Sequence, residues 1–203
     1  IVADVKLTDL SASDPELQKY GIKADCSKTG HSHMKRRVKE LGALAGFEKS
    51  GHYFLSGEIG HGYDCGMRVA VEICKLMDRS PDMSLPDLRK ALPKTWATST
   101  MSPYCSDLEK YGTLDRLVAK LVAKFKAGEK LGGRPIKKVV TANGARVILD
   151  NGAWGLVRAS SNTPNLVVVC ESPESDAEMR AVFEDIDAVI RTESNVGEYD
   201  PTI

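Results

Sequence analysis

Two Asn-Gly pairs, Asn143-Gly144 and Asn151-Gly152, stand eight residues apart in the stretch IKKVVTANGARVILDNGAWGLVRAS. Asn-Gly tolerates the positive φ that a tight hairpin turn requires. The segments around the two pairs are rich in Val, Ile and Leu and too short for helices, so they read as strands. The chain is thereby committed to an antiparallel meander here, and NLVVVCES further on reads as another strand. Two amphipathic segments flank it. TLDRLVAKLVAKFKAG sets Leu114, Leu117, Val118, Leu121, Val122 and Phe125 on one side. Its lysines form a solvated outer face. SDAEMRAVFEDIDAVIRT opens on a capping residue and carries Met179, Val182, Phe183, Ile186 and Val189 inward. Antiparallel strands with two helices make a small α+β domain. The closing NVGEYDPTI is expected to be loosely held.

The first half has a different rhythm. IVADV is a buried strand, and SASDPELQKYG opens with cap-like Ser and Asp and then Pro15 at an early helical position, reading as a helix stopped by Gly21. SHMKRRVKELGAL is a second helix with the stripe Met34, Val38 and Leu41. FEKSGHYFL follows as strand and loop, then the glycine-rich GEIGHGYDCG, then a helix through MRVAVEICKLM. Strands alternating with helices indicate a mixed α/β layer. LPKTWATSTMSP, with Pro93 and Pro103, has no periodicity and reads as a linker. The expected domains are therefore 1–100, α/β, and 101–203, α+β. No internal repeat is visible.

With 203 residues, each domain can bury a core. The 28 basic and 28 acidic residues cancel, which argues against non-specific nucleic-acid binding, so any basic site is local. No apolar run is long enough for a bilayer, and no membrane partner is expected. The opening has no charged leader before an apolar stretch, so no signal peptide is assigned. It lacks an initiator Met and starts directly on a strand, and we expect the chain to be cut from a longer one. Five cysteines, with no CxxC, read as free thiols in a reducing cytoplasm.

Three stretches could carry chemistry. Glu48, Ser50 and His52 alternate on one short segment. A carboxylate, a hydroxyl and an imidazole there offer acceptors and donors to a sugar diol, or form an ordinary structural turn. All four histidines, His31, His33, His52 and His61, lie close in sequence. Zinc-type spacing is absent, with no HExxH and no CxxC partner for Cys65, so no metal site is assigned. VRASSNTP joins two apolar strands. Arg158 offers a planar fork, and Ser160, Ser161, Asn162 and Thr163 add donors that suit a phosphate dianion, or the stretch is a polar hairpin turn. In KTGHSHMK, Gly30-His31 feeds a helix N-terminus, where backbone dipoles favour an anion.

Taken in order, these stretches resemble the α-D-phosphohexomutase family, in its phosphomannomutase/phosphoglucomutase branch. DVKLT looks like that family's DVKCS/DVKCT strand. KTGHSHMKRRVKELGALAGFEKSGHYF is similar to KTGHSxIKxxMxExGAxxxGExSGHxFF. GYDCGMRVAVEI resembles its FDDGxxxAxxL helix start, and WGLVRASSNTPNLVVVCES its GWxLVRASNTxPxLxxRxEA segment. The likeness covers essentially the whole chain. It implies the third and fourth of four domains: a mixed α/β layer followed by a TATA-binding-protein-like α+β domain.

The resemblance also implies roles. Glu48, Ser50 and His52 match the sugar-binding loop, which holds two hydroxyls in either orientation of the substrate. Arg158, Ser160, Ser161, Asn162 and Thr163 match the phosphate-binding loop. Lys6 and His31 match basic residues that face the reacting phosphoryl group. The family's catalytic phosphoserine lies in its first domain and its magnesium-binding DGDGDR loop in its second; neither motif occurs in this sequence. The implied enzyme interconverts hexose 1-phosphate and hexose 6-phosphate, of mannose or glucose, through a phosphoserine and a bisphosphate intermediate. It is an isomerase of the intramolecular phosphotransferase class, with Mg²⁺ held outside this chain and glucose 1,6-bisphosphate as activator. Its partners would be the hexose phosphate and the missing N-terminal domains one and two. The alternative is a stand-alone sugar-phosphate-binding module without chemistry. Three departures stand out: Ser161-Asn162 where Asn-Thr is usual, Cys65 for the second Asp of the helix start, and Phe47 for the Gly before the loop's Glu.

Overall fold

The computed structural model describes residues 1–57 and 59–200. Glu58, in the glycine-rich stretch, and residues 201–203 lie outside the described residues. The chain divides into two compact units, one ending at Lys94 and the next beginning at Thr95.

In the first unit β1 (Val2–Asp4) lies between two parallel neighbours, β2 (Asp25–Ser27) and β3 (Ala45–Phe47). Strand β4 (Tyr53–Leu55) returns antiparallel beside β3, giving the order β2-β1-β3-β4. Between β1 and β2 lie two short helices: α1 (Leu10–Ser13), not anticipated from sequence, and α2 (Pro15–Lys19), the expected helix capped by Asp14 and stopped before Gly21. The break is chemical. A residue preceding proline is pushed out of the helical region, and Asp14 is extended there, its carboxylate accepting from the N–H groups of Glu16 and Leu17.

Helix α3 (His31–Leu41) packs Met34 and Val38 against Val2 and Phe54 and ends at Gly42, whose φ of 57° is left-handed. Leu41, expected in the same stripe, is about half exposed because the chain turns away directly after it. Helix α4 (Gly66–Asp78) buries none of its residues, leaving Met67, Val71 and Leu76 exposed. Helix α5 (Leu85–Lys90), not anticipated from sequence, is held by a capping box between Ser84 and Asp87.

The second unit is an antiparallel sheet with two helices. Its elements are β5 (Trp96–Ala97), α6 (Lys110–Lys126), β6 (Lys130–Leu131), β7 (Arg134–Val140), β8 (Ala145–Leu149), β9 (Trp154–Ala159), β10 (Leu166–Ser172) and α7 (Asp176–Ile190). The strand order is β5-β10-β9-β8-β7-β6. The expected turns hold: Gly144 has φ 76° and Gly152 φ 90°. One sheet face, with Val147, Val157 and Val168, packs on Leu117 and Leu121 of α6 and on Val182 and Ile186 of α7. Gly155 lets α7 settle on bare backbone, since a Cβ there would stand 2.8 Å from Ile186 Cγ1. On the other face the Arg146 guanidinium lies over the Trp154 ring at 3.8 Å.

Two expectations change here. The presumed linker is a sheet edge: Trp96 pairs with Ser172, and Met101 and Cys105 are fully buried. The carbonyl of Pro103 accepts from Leu166 N–H at 2.9 Å. Residues 95–100 therefore belong to the second unit, and the division falls after Lys94 rather than after residue 100. The closing segment is tied down through residue 200. Ser102 N–H donates to the Asp200 carbonyl, and the Tyr199 hydroxyl donates to Asp187 at 2.7 Å. Burial and the Asp187 carboxylate together raise the Tyr199 phenol well above its ordinary value. Among the described residues no helix is long and apolar enough to cross a membrane.

Candidate functional site

In the first unit the chemistry gathers where β1 ends and α3 begins. Ligands of α/β sheets commonly bind at the carboxyl ends of the strands. The Lys6 backbone N–H donates to Asp4 Oδ1 at 2.9 Å, and the Thr29 hydroxyl to Oδ2 at 3.2 Å. Asp4 is fully buried, and that burial raises its carboxyl pKa against the pull of Lys6. Lys6 itself is almost completely buried.

The β3–β4 hairpin carries the sugar-loop candidates. Gly51, at φ 86°, makes the turn, and Glu48 N–H donates to the His52 carbonyl at 3.0 Å. Glu48 is 5% exposed. Its Oε1 accepts from Gly30 N–H at 2.8 Å, at the first turn of α3, and its Oε2 from the Ser50 hydroxyl at 3.2 Å. The carboxylate expected to serve a ligand thus also caps a helix. A carboxylate offers about four acceptor positions, so two occupied ones leave capacity for a ligand.

His52 and His31 come together. Their rings meet edge to face at 4.4 Å, and His31 also meets Phe54 edge to face at 5.2 Å. Between them stands Asp64, which the sequence reading did not single out. Its Oδ2 lies 2.8 Å from His52 Nδ1 and 3.8 Å from His31 Nε2, and its Oδ1 accepts from Tyr53 N–H at 3.0 Å. That backbone donor, and then the two imidazoles, hold the Asp64 carboxyl below the usual carboxylate range. From sequence Asp64 looks like a residue opening α4, yet its side chain turns back to the hairpin. The other two histidines stay apart: His33 meets Arg36, and His61 stacks on Tyr63.

Among the described residues one group, His31, His52 and Asp64, has three metal-ligand atoms within 4.8 Å of one another. Two imidazoles and one carboxylate suit a borderline transition metal. Mg²⁺ prefers an octahedral shell of oxygens, so this set does not fit it.

In the second unit the loop between β9 and β10 winds around Ser160. Its Oγ accepts from the N–H groups of Asn162 at 3.4 Å and Thr163 at 3.3 Å, and from the Thr163 hydroxyl at 2.8 Å. Ser161, Asn162 and Thr163 are exposed, while Ser160 is buried beneath them. Two of the loop's presumed ligand donors are therefore also its internal scaffold. Arg158, the last but one residue of β9, is 7% exposed and donates from Nη1 to the Ala159 carbonyl at 2.8 Å. The β7–β8 turn presses on it: a Cβ at Gly144 would collide with the Val157 carbonyl and stand 2.8 Å from Arg158 Cα.

Comparison with known proteins adds an independent line. The sequence model for phosphoglucomutase/phosphomannomutase alpha/beta/alpha domain III matches residues 1–96, and that for the C-terminal domain matches residues 105–189. A phosphomannomutase/phosphoglucomutase of Pseudomonas putida is 33% identical over 182 residues, covering 90% of this chain and 36% of the relative. A phosphoglucomutase of Neisseria meningitidis is 30% identical over 197 residues, covering 97% and 39%. The crystal structure of a phosphoglucomutase/phosphomannomutase family protein from Burkholderia thailandensis superposes with a TM-score of 0.71 at 27% identity, over 97% of this chain and 39% of that one. The chain thus spans well under half the length of the relatives it matches.

Proposed function

Because the chain belongs to the phosphoglucomutase/phosphomannomutase family, as that family's third and fourth domains, we propose that it is the sugar- and phosphate-recognising portion of a hexose-phosphate mutase. The longer protein would move a phosphoryl group between the 1- and 6-positions of mannose or glucose, through a phosphoserine and a bisphosphate such as glucose 1,6-bisphosphate. Serine nucleophile and Mg²⁺ are assigned to the N-terminal domains that the longer relatives have room for, and the setting to the cytoplasm.

Phosphoryl transfer depends mostly on positioning and charge. One observation carries the reading for this chain: hairpin, α3 start and Asp64 bring Glu48, Ser50, His52 and His31 to one place. Glu48 and Ser50 would hold two sugar hydroxyls. His31, at the N-terminus of α3, and Lys6 would face the phosphoryl group, where helix dipoles also favour an anion. His52, with Nδ1 turned to Asp64, would present Nε2 to the sugar. Arg158 and the loop from Ser160 to Thr163 would hold the phosphate that is not reacting.

Titration calorimetry tests this. The chain should bind glucose 1-phosphate and bind glucose much less. Arg158→Ala should weaken binding of the phosphate by about 2–3 kcal/mol, the scale of a charged hydrogen bond, and Arg158→Lys should restore part of it. Equal affinity for both sugars, or no effect of the substitution, removes Arg158 from the site. The chain alone should turn over no hexose phosphate, with or without Mg²⁺ and glucose 1,6-bisphosphate; turnover free of host mutase contradicts this division of labour.

A further inference from the structure

Helix α6 opens on a buried cation. Lys110 is its first residue, where helix dipoles disfavour positive charge, yet its side chain is 4% exposed. Nζ donates to the Thr163 carbonyl at 2.9 Å, across 53 residues of sequence. It also lies 2.5 Å from Asp107 Oδ1, whose own side chain is 67% exposed. A lysine is almost never fully buried unless paired, and this one divides its donors between a carboxylate at the rim and a loop carbonyl. Thr163 is thereby held from two sides. Ser160 Oγ takes its N–H and its hydroxyl, and the Thr163 carbonyl accepts from both Lys110 Nζ and, at 2.8 Å, the Asn165 N–H.

We propose that Lys110 is a positioning residue for anion recognition by the loop from Ser160 to Thr163, one whose charge also contributes to the positive potential there. Lys110 and the Asn165 N–H together engage the Thr163 carbonyl, which turns that oxygen away from an incoming oxyanion that it would repel. It also keeps Ser161 and Asn162 on the outer side of the turn. Asp107 tempers the charge because it is the nearer partner and is open to water. The Asn165 N–H, a neutral donor, shares the carbonyl but adds nothing to the field; that part falls to Lys110. This inference rests on the reading of the loop as a phosphate site.

The experiment is a nitrogen-15 NMR titration of the chain with inorganic phosphate and, separately, with glucose 1-phosphate, at low and high salt. In the unaltered chain, phosphate should move the amides of residues 160–163. Lys110→Met should weaken both ligands about tenfold and flatten the salt dependence, while the rest of the spectrum stays dispersed as before. Lys110→Arg should recover part of the affinity. Asp107→Asn keeps the lysine and removes its counter-charge, so phosphate should bind severalfold more tightly with a steeper salt dependence. A lysine that serves only to fill space predicts no change of salt dependence in either variant. If phosphate moves none of these amides in the unaltered chain, the phosphate-loop reading falls, and this inference with it. If phosphate binds and Lys110→Met binds equally well, the inference alone falls. Should Lys110→Met not fold, Asp107→Asn decides: unchanged or weaker phosphate binding overturns the proposal.

Discussion

Asp64 Oδ2 stands 2.8 Å from His52 Nδ1 while its other oxygen accepts the N–H of Tyr53, the next residue along. One carboxylate therefore fixes both the backbone of β4 and the ring at its start. The Tyr53 donor is the larger cause of its lowered pKa, and the His52 hydrogen bond a smaller one. A depressed carboxylate stabilises the fold fully above its unfolded value, near pH 4, and that contribution is lost as pH falls through the lower folded value. Carbon-13 titration should show Asp64 ionising below the ordinary range. His52→Ala should bring it back only part of the way. A complete return, or an ordinary value at the outset, would contradict this assignment.

Asp4 has the opposite sign. Its folded pKa is raised, chiefly by burial, so its ionisation opposes folding once pH rises above the unfolded value near 4, up to the folded pKa. Asp4→Asn keeps an acceptor for Lys6 N–H and removes the buried charge. Urea unfolding of the variant against the unaltered chain should show it gaining relative stability between acid and neutral pH. A difference that does not change with pH would remove the burial argument.

Glu48→Ala deletes the acceptor for Gly30 N–H and should cost the first unit about 1–3 kcal/mol, the scale of a part-buried hydrogen bond to a charged group. Glu48→Gln keeps an oxygen there and loses the charge at the helix N-terminus, worth about 0.3–1 kcal/mol. Hydrogen exchange at the Gly30 amide is the readout. Protection unchanged in Glu48→Ala would free Glu48 from any structural duty.

Gly144→Ala should damage more than the turn. The position has φ 76°, and the added Cβ would strike the Val157 carbonyl and crowd Arg158 Cα. A cost of at least about 2 kcal/mol is expected, since forbidden φ and overpacking act together. Phosphate affinity should fall with it because Arg158 is displaced. Stability and affinity that both survive would mean the β7–β8 turn can withdraw from β9.

The meander was legible because Asn-Gly at 143–144 and 151–152 leaves few turns to choose from. Glu48, Ser50 and His52 were legible as a set because one hairpin carries all three. Asp64 was not, because its tie to His52 closes a loop of glycines that no periodicity describes. The same holds for Lys110 and Thr163, which meet only once α6 lies against the sheet. The edge strand at Trp96 reads as a linker in sequence, since two paired residues among Pro, Ser and Thr have no alternation to read. Asp14 as cap and Pro15 as an early helical residue were legible because Pro suits the first turn of a helix; the four-residue α1 before them was not, because a single turn has no period to read.

Strand β5 has a consequence for the order of synthesis. Trp96 leaves the ribosome 76 residues before Ser172, its partner across the sheet. At roughly 5–20 residues per second, that edge waits about 4–15 s for the strand it completes. For most of that interval Met101 and Cys105, buried in the finished unit, lack their partners across the sheet edge, Val168 for Met101 and the Pro164 carbonyl for the Cys105 N–H. The first unit, complete at Lys94, can close in the meantime. A nascent chain would thus carry one folded unit and one open edge, and a chaperone that recognises apolar segments would find residues 95–105 before any other part of the second unit.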